Sequence, residues 1–125
     1  MYLYRNIKMR KPSLLRSITN AIRGLWMIFK SERNFQIEVF ALLINIFLIF
    51  YFHLSTLDAV LIFMVSFMVL SVEIINTAIE KICDFIHPEY DKRIGFIKDI
   101  AAGAVTLMAT LSVIVGIFVY WKYIF

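Results

Sequence analysis

The sequence predicts an all-α membrane protein: an N-terminal amphipathic surface helix and three transmembrane helices packed as a bundle. Three observations carry that prediction. First, apolar residues are 62% of the 125 and charged residues only 18%, against roughly 45–50% apolar in ordinary soluble domains. A chain this short hides only about two thirds of its surface when it folds alone. The surplus apolar surface needs a bilayer, a partner or both, which excludes a soluble monomer and a disordered chain. Second, three stretches run long and nearly free of charge. Third, the bases crowd to one end: residues 1–33 hold eight Lys and Arg against a single acid, Glu32, while the rest of the chain is net negative. Beside hydrophobic spans, such an end reads as meeting anionic lipid rather than nucleic acid.

The elements follow in order. Residues 1–12 are basic, end at Pro12 and read as a loose leader. No short apolar core with a small-residue cleavage site follows, so they do not read as a cleavable signal peptide. An amphipathic helix is predicted over 13–33, with Ser13 as its N-cap. Leu14, Leu15, Ile18, Ala21, Ile22, Leu25, Trp26 and Phe29 recur at intervals of three and four, which draws one apolar stripe. Arg16, Asn20, Arg23 and Lys30 occupy much of the rest. The helix is expected to lie in the membrane interface; packing on a partner protein is the other reading.

The three spans are predicted at 35–53, 57–80 and 100–121. The first carries no charge from Val39 to Phe52, the second is apolar up to Glu73, and the third has no charge at all before Lys122. The first falls just short of the roughly 20 residues that a hydrocarbon core of about 30 Å requires, and the other two exceed it. Residues 81–99 read as a mixed loop holding Lys81, Lys92, Arg93 and Lys98, whereas the turn at 53–58 holds no base. The positive-inside rule therefore expects the N-terminus and the long loop in the cytoplasm and the C-terminus outside. Small residues recur along the third span: Ala101, Ala102, Gly103, Ala104, Ala109, Ser112 and Gly116. They let helices approach closely in lipid, and they suggest a homo-oligomer.

Several chemistries are absent. One cysteine, Cys83, permits no intrachain disulfide and no Cys-rich zinc site. The four glycines fit neither a P-loop nor a dinucleotide fingerprint, and there is no HExxH.

The informative segment is Glu73-Ile-Ile-Asn76-Thr-Ala-Ile-Glu80-Lys-Ile-Cys-Asp84. Positions 73, 76, 80 and 84 fall on one helix face. That face presents three carboxylates and an amide near the inner end of a span. Ionised acids there are expensive unless partnered, and like charges one turn apart repel. Something cationic is expected, and an all-oxygen donor set suits Mg²⁺, which takes one or two carboxylates plus substrate phosphates. Two other readings stay open. Glu80 and Asp84 are solvated at the interface, or Glu73 belongs to a proton or ion path in a non-enzymatic subunit. Glu32 ends the amphipathic helix at the same level, and Lys98-Asp99 opens the third span. Asp99 there suits a helix dipole, and Lys98 either snorkels or holds a phosphate. His53 and His87 read as structural.

The segment EIINTAIEKICD, with KDIAAGAV downstream and SERNFQIE at 31–38, resembles the prokaryotic diacylglycerol kinase family, which includes undecaprenol kinases. The resemblance covers residues 13–121. It implies a homotrimeric lipid kinase of the bacterial cytoplasmic membrane that transfers the γ-phosphate of MgATP to a lipid hydroxyl. Diacylglycerol is the first substrate it suggests, and undecaprenol the alternative. By the same resemblance Glu73 is the general base and Asn76 positions the catalytic groups. Glu32 and Glu80 hold Mg²⁺. Lys98, Asp99, Glu89, Tyr90, Asp91 and Asp84 bind the nucleotide. The pattern departs at Ser13 and Asn20, where some relatives carry an arginine and an aromatic, and at Glu38, where some carry histidine.

Overall fold

The computed structural model describes residues 12–125; the basic leader predicted over 1–12 lies, apart from Pro12, outside them. The chain divides into two compact units, one ending at Ser31 and one spanning Glu32–Phe125.

The first unit contributes α1, Leu14–Ser31. Ser13 starts it as expected, its Oγ accepting from the Arg16 N–H at 3.3 Å. None of its residues is buried. Trp26 stacks on Phe29 with ring centroids 5.9 Å apart, and the Lys30 ammonium lies 5.6 Å over the Trp26 ring. An apolar stripe this exposed needs an apolar surface to cover it.

The second unit is built from α2 (Arg33–Tyr51), α3 (Thr56–Ile86) and α4 (Lys92–Ile124). All three are long and apolar enough to cross a membrane. The α2–α3 turn is tight: His53 adopts a φ of 52°, the left-handed region, and Ser55 caps α3 by accepting from the Asp58 N–H. Helix α3 is central and packs against both neighbours. Its buried stripe includes Ile62, Val65, Val69, Glu73, Asn76 and Cys83, intervals that add up to one helical face. Helix α4, in contrast, buries only Ala101 and Val119.

Two boundaries differ from the sequence reading. The 81–99 segment is not a loop: α3 continues to Ile86 and α4 begins at Lys92, leaving residues 87–91 as the connection. Asp99 therefore lies two turns inside α4 rather than in its first turn. The physical reason is that falling hydropathy marks where the bilayer ends, not where a helix ends. At 1.5 Å per residue α3 and α4 are about 46 and 50 Å long, well beyond a hydrocarbon core of about 30 Å. Charged residues continue the helices past the lipid until Pro88, which disfavours helical backbone at His87 before it; His87 accordingly adopts φ −146° and ψ 88°. Asp91 then caps α4 by accepting from the Arg93 N–H at 2.8 Å.

The end of the bundle at the α2–α3 turn is polar but closed. Buried Asp58 accepts from both Lys122 Nζ, at 3.0 and 3.1 Å, and the Tyr123 hydroxyl, at 2.7 Å. The same hydroxyl accepts from the Ser55 N–H at 2.9 Å. Deeper in the spans, Tyr120 donates to Asn45 Oδ1 at 2.7 Å. Ile49, Ile62 and Val119 form the apolar core beneath.

Candidate active site

The opposite end of the bundle gathers the residues that the sequence singled out. On α3, Glu73 and Asn76 are buried, at 3% and 6% exposure, Glu80 is half-buried and Asp84 is exposed. The row is thus graded from the bundle interior outward. Asn76 Nδ2 donates to Glu80 Oε1 at 3.2 Å, which leaves the buried Asn76 Oδ1 without a partner. Thr77 donates back to the Glu73 carbonyl at 3.0 Å.

The start of α2 supplies the facing groups. Glu32 is its N-cap residue, and the Glu73 carboxylate feels the charges of Glu80 and Glu32 and takes a hydrogen bond from the Asn34 side chain. Glu38, one helical turn beyond Asn34, also interacts with Glu73, and its Oε2 is buried without a partner. The role of Glu38 was open in the sequence and that of Asn34 unsuspected. Spacing along one helix cannot show what a second helix brings to it. Lys81 pairs with Glu32 at 3.6 Å, an exposed contact of little energetic weight.

The atoms of this cluster that could ligate a metal are oxygens, which fit a hard divalent cation. Among the described residues no three acidic, His or Cys side chains converge tightly enough to hold a metal unaided. The orphaned Asn76 oxygen and the mutual repulsion of Glu73, Glu80 and Glu32 are what a cation would relieve.

One turn beyond Glu80 the row enters a second space. A cavity of about 330 Å³ is lined by Asp84 on α3, Glu89, Tyr90 and Asp91 on the connection, and Lys98 and Asp99 on α4, together with His87. All six residues expected at the nucleotide meet there, because α4 continues N-terminal of the membrane span and returns Lys98 and Asp99 to the end of α3. Lys98 Nζ bonds Asp84 Oδ1 at 2.5 Å, so the lysine that seemed remote in sequence is a direct partner of the carboxylate row. The Tyr90 ring lies 3.7 Å from where a Cβ on Gly95 would be, an ordinary contact distance. Asp91, expected only as a nucleotide contact, also caps α4. The Arg93 backbone and side chain, at 2.8 to 3.3 Å, hold its carboxyl down at about 2.

A third space, of about 460 Å³, lies among α2, α3 and α4 within the spans. Glu38 lines it, and Asn45, Ser66 and Ser112 add polar atoms to largely apolar walls.

Comparison with known proteins completes these observations. The sequence profile of the family described as prokaryotic diacylglycerol kinase matches residues 19–120. An undecaprenol kinase of Bacillus subtilis (strain 168) is 34% identical over 105 residues, covering 84% of this chain and 85% of that relative. A diacylglycerol kinase of Synechocystis is 35% identical over 106 residues, 84% of this chain and 61% of the relative. A diacylglycerol kinase of Escherichia coli (strain K12) is 29% identical over 101 residues, 81% of this chain and 83% of the relative.

Proposed function

The chain belongs to the prokaryotic diacylglycerol kinase family and is a membrane lipid kinase, and from that premise we propose that it transfers the γ-phosphate of ATP, with Mg²⁺, to the primary hydroxyl of diacylglycerol. The observation that carries this reading is the continuity of one helix face. Glu73, Asn76, Glu80 and Asp84 lead without interruption from the bundle interior to the cavity holding Lys98.

Phosphoryl transfer asks a protein mainly to position its reactants and neutralise charge. Glu73 accepts the hydroxyl proton as the oxygen attacks; it is the deepest carboxylate of the row, where a hydroxyl arrives while its chains stay in lipid. Asn76 holds Glu80 in place through its amide. Glu80 and Glu32 are the residues that would hold Mg²⁺, whose contribution is to neutralise the phosphate oxygens. Lys98, Asp99, Asp84, Glu89, Tyr90 and Asp91 bind the nucleotide. ATP enters from the cytoplasm, at the end of the bundle carrying the N-terminus of α2. The exposed small residues of α4 pack against further copies of the chain in a homotrimer.

A second reading, undecaprenol as acceptor, is favoured by the Bacillus relative. Both lipids offer a primary hydroxyl, and apolar walls discriminate weakly between apolar chains. The test is γ-³²P transfer by the purified chain in mixed micelles, with and without Mg²⁺, offering the two lipids in parallel. Magnesium-dependent label in diacylglycerol supports the proposal; label confined to undecaprenol replaces its substrate.

A further inference from the structure

The connection between α3 and α4 carries a histidine that neither the sequence reading nor the catalytic scheme uses. His87 follows the last residue of α3, and Pro88 after it fixes an extended backbone there. That geometry turns the ring onto its own loop: Nδ1 lies 2.7 Å from the Glu89 carbonyl oxygen. A carbonyl only accepts, so Nδ1 must carry the proton. In the neutral ring, Nε2 is then an acceptor, and it has no hydrogen-bond partner among the described residues. The ring lines the 330 Å³ cavity with Asp84, Glu89 and Lys98.

The charges of that cavity say which part of a nucleotide meets it. Lys98 is the base facing the carboxylate row, and its charge acts on Asp84 and Glu80. Phosphates belong at that end, next to the transfer site. His87 follows Asp84 by three residues and Glu73 by fourteen, so along the chain it is the farthest of these from the transfer site. The cavity that it lines also holds Glu89 and Asp91, whose carboxylate is paired with Arg93. An imidazole acceptor at this point suits the donors of a nucleoside, which are ribose hydroxyls and an exocyclic amine.

We propose that His87 is a specificity-determining residue of the nucleotide site, its Nε2 accepting a hydrogen bond from a donor of the nucleoside. The inference rests on the reading of this cavity as the nucleotide pocket. The ring is held in the required tautomer by its own backbone, so the acceptor is oriented before the nucleotide arrives.

The experiment measures equilibrium binding of non-hydrolysable ATP, and KM and kcat for ATP, with the full chain in mixed micelles. It compares wild type, His87→Ala, His87→Asn and Lys98→Ala. The 2′-deoxy, 3′-deoxy and 6-deamino analogues of ATP are run beside ATP. Loss of one hydrogen bond should weaken binding about five- to tenfold, seen in Kd and KM with a smaller change in kcat. Asparagine keeps a donor for the Glu89 carbonyl but removes the Nε2 acceptor. His87→Asn is therefore expected to bind as weakly as His87→Ala. In both variants the penalty that wild type imposes on one analogue should disappear, and the analogue concerned identifies the donor as ribose or amine. Wild-type binding by His87→Asn would show that the ring is only a strut of the loop and overturn the proposal. Analogue penalties that persist unchanged in His87→Ala would overturn it as well. Lys98→Ala separates the two levels: weakened binding of every nucleotide supports the pocket, whereas wild-type binding by Lys98→Ala removes the pocket itself and the inference with it.

Discussion

Glu73 is held at 3% exposure with the charges of Glu80 and Glu32 acting on it and one amide, that of Asn34, hydrogen-bonded to it. A carboxylate in such a position is not there for stability, since its neighbours repel it. Glu73→Gln removes the proposed base while keeping the shape, so kcat should fall by about 10²–10⁴. The melting temperature in detergent should hold or rise as one repelling charge disappears. A parallel loss of stability and activity would point to a structural carboxylate instead. Glu80→Gln keeps an oxygen to accept from Asn76 but loses the charge that would hold Mg²⁺. The Mg²⁺ concentration giving half-maximal phosphorylation should rise, and an unshifted Mg²⁺ titration would reassign that role. Asp91 offers a test outside the membrane. Arg93 depresses its carboxyl to about 2, below the roughly 3.9 of an unfolded aspartate. Its stabilising contribution is therefore fully present above about pH 4 and disappears as pH falls toward 2. Amide exchange at Gly95, whose N–H bonds the Asp91 carbonyl at 2.9 Å, should show constant protection from pH 7 to 5 after correction for intrinsic rates. Protection already lost at pH 5 would mean that the cap is not held by the ionised carboxylate.

At the scale of the helix, sequence periodicity goes far because a carboxylate row on one helix needs only the 3.6-residue repeat to be seen. Glu73, Asn76, Glu80 and Asp84 share a face in the sequence and in the structure for that reason alone. Glu38 and Asn34 were not legible, because facing them to Glu73 takes the pairing of α2 with α3. The Lys98–Asp84 bond was hidden by reading the charged segment as a loop, although Asp91 before Lys-Arg-Ile is a helix-start signal. The far end of the bundle shows how α4 is fixed to its neighbours. Tyr123→Phe removes a bond to buried Asp58 and one from the Ser55 amide, and should lower the melting temperature by several degrees. Tyr120→Phe removes only the bond to Asn45, of a kind that averages about 0.6 kcal/mol within membranes, and should lower it less. Equal effects would show that the Asp58 cluster does not anchor α4. The exposed face of α4 is the other side of the argument. A Cβ at Gly103 would meet nothing within 4 Å among the described residues, so the protomer's own backbone and side chains leave room for a substituent there. If close packing with other copies builds the trimer, Gly103→Leu should shift the mass measured by light scattering in detergent toward smaller species. An unchanged mass would take this face out of the interface.

At the scale of the whole molecule the charges sort by end of the bundle. Arg33, Lys81, Lys92, Arg93 and Lys98 lie at the end where α2 begins and α3 meets α4, while Lys122 is the base at the end with the α2–α3 turn. Lys122 is bound by both oxygens of Asp58, so that end presents no free positive charge from it. The asymmetry on which the positive-inside rule acts is the count of bases at each end, and it coincides with the end carrying the carboxylate row. Under the proposed function both favour the same orientation, because ATP is cytoplasmic and a basic end is retained beside anionic lipid. The native thiol makes this measurable, because Cys83 is buried at 5% exposure and gives little background with a charged, membrane-impermeant maleimide. In intact spheroplasts Thr56→Cys should label from outside. Tyr90→Cys, on the connection that lines the cavity proposed for the nucleotide, should label only after the membrane is opened. Labelling of Tyr90→Cys from outside would put the site on the wrong side of the membrane for ATP. The lipid kinase would then need a nucleotide source that the cytoplasm does not supply.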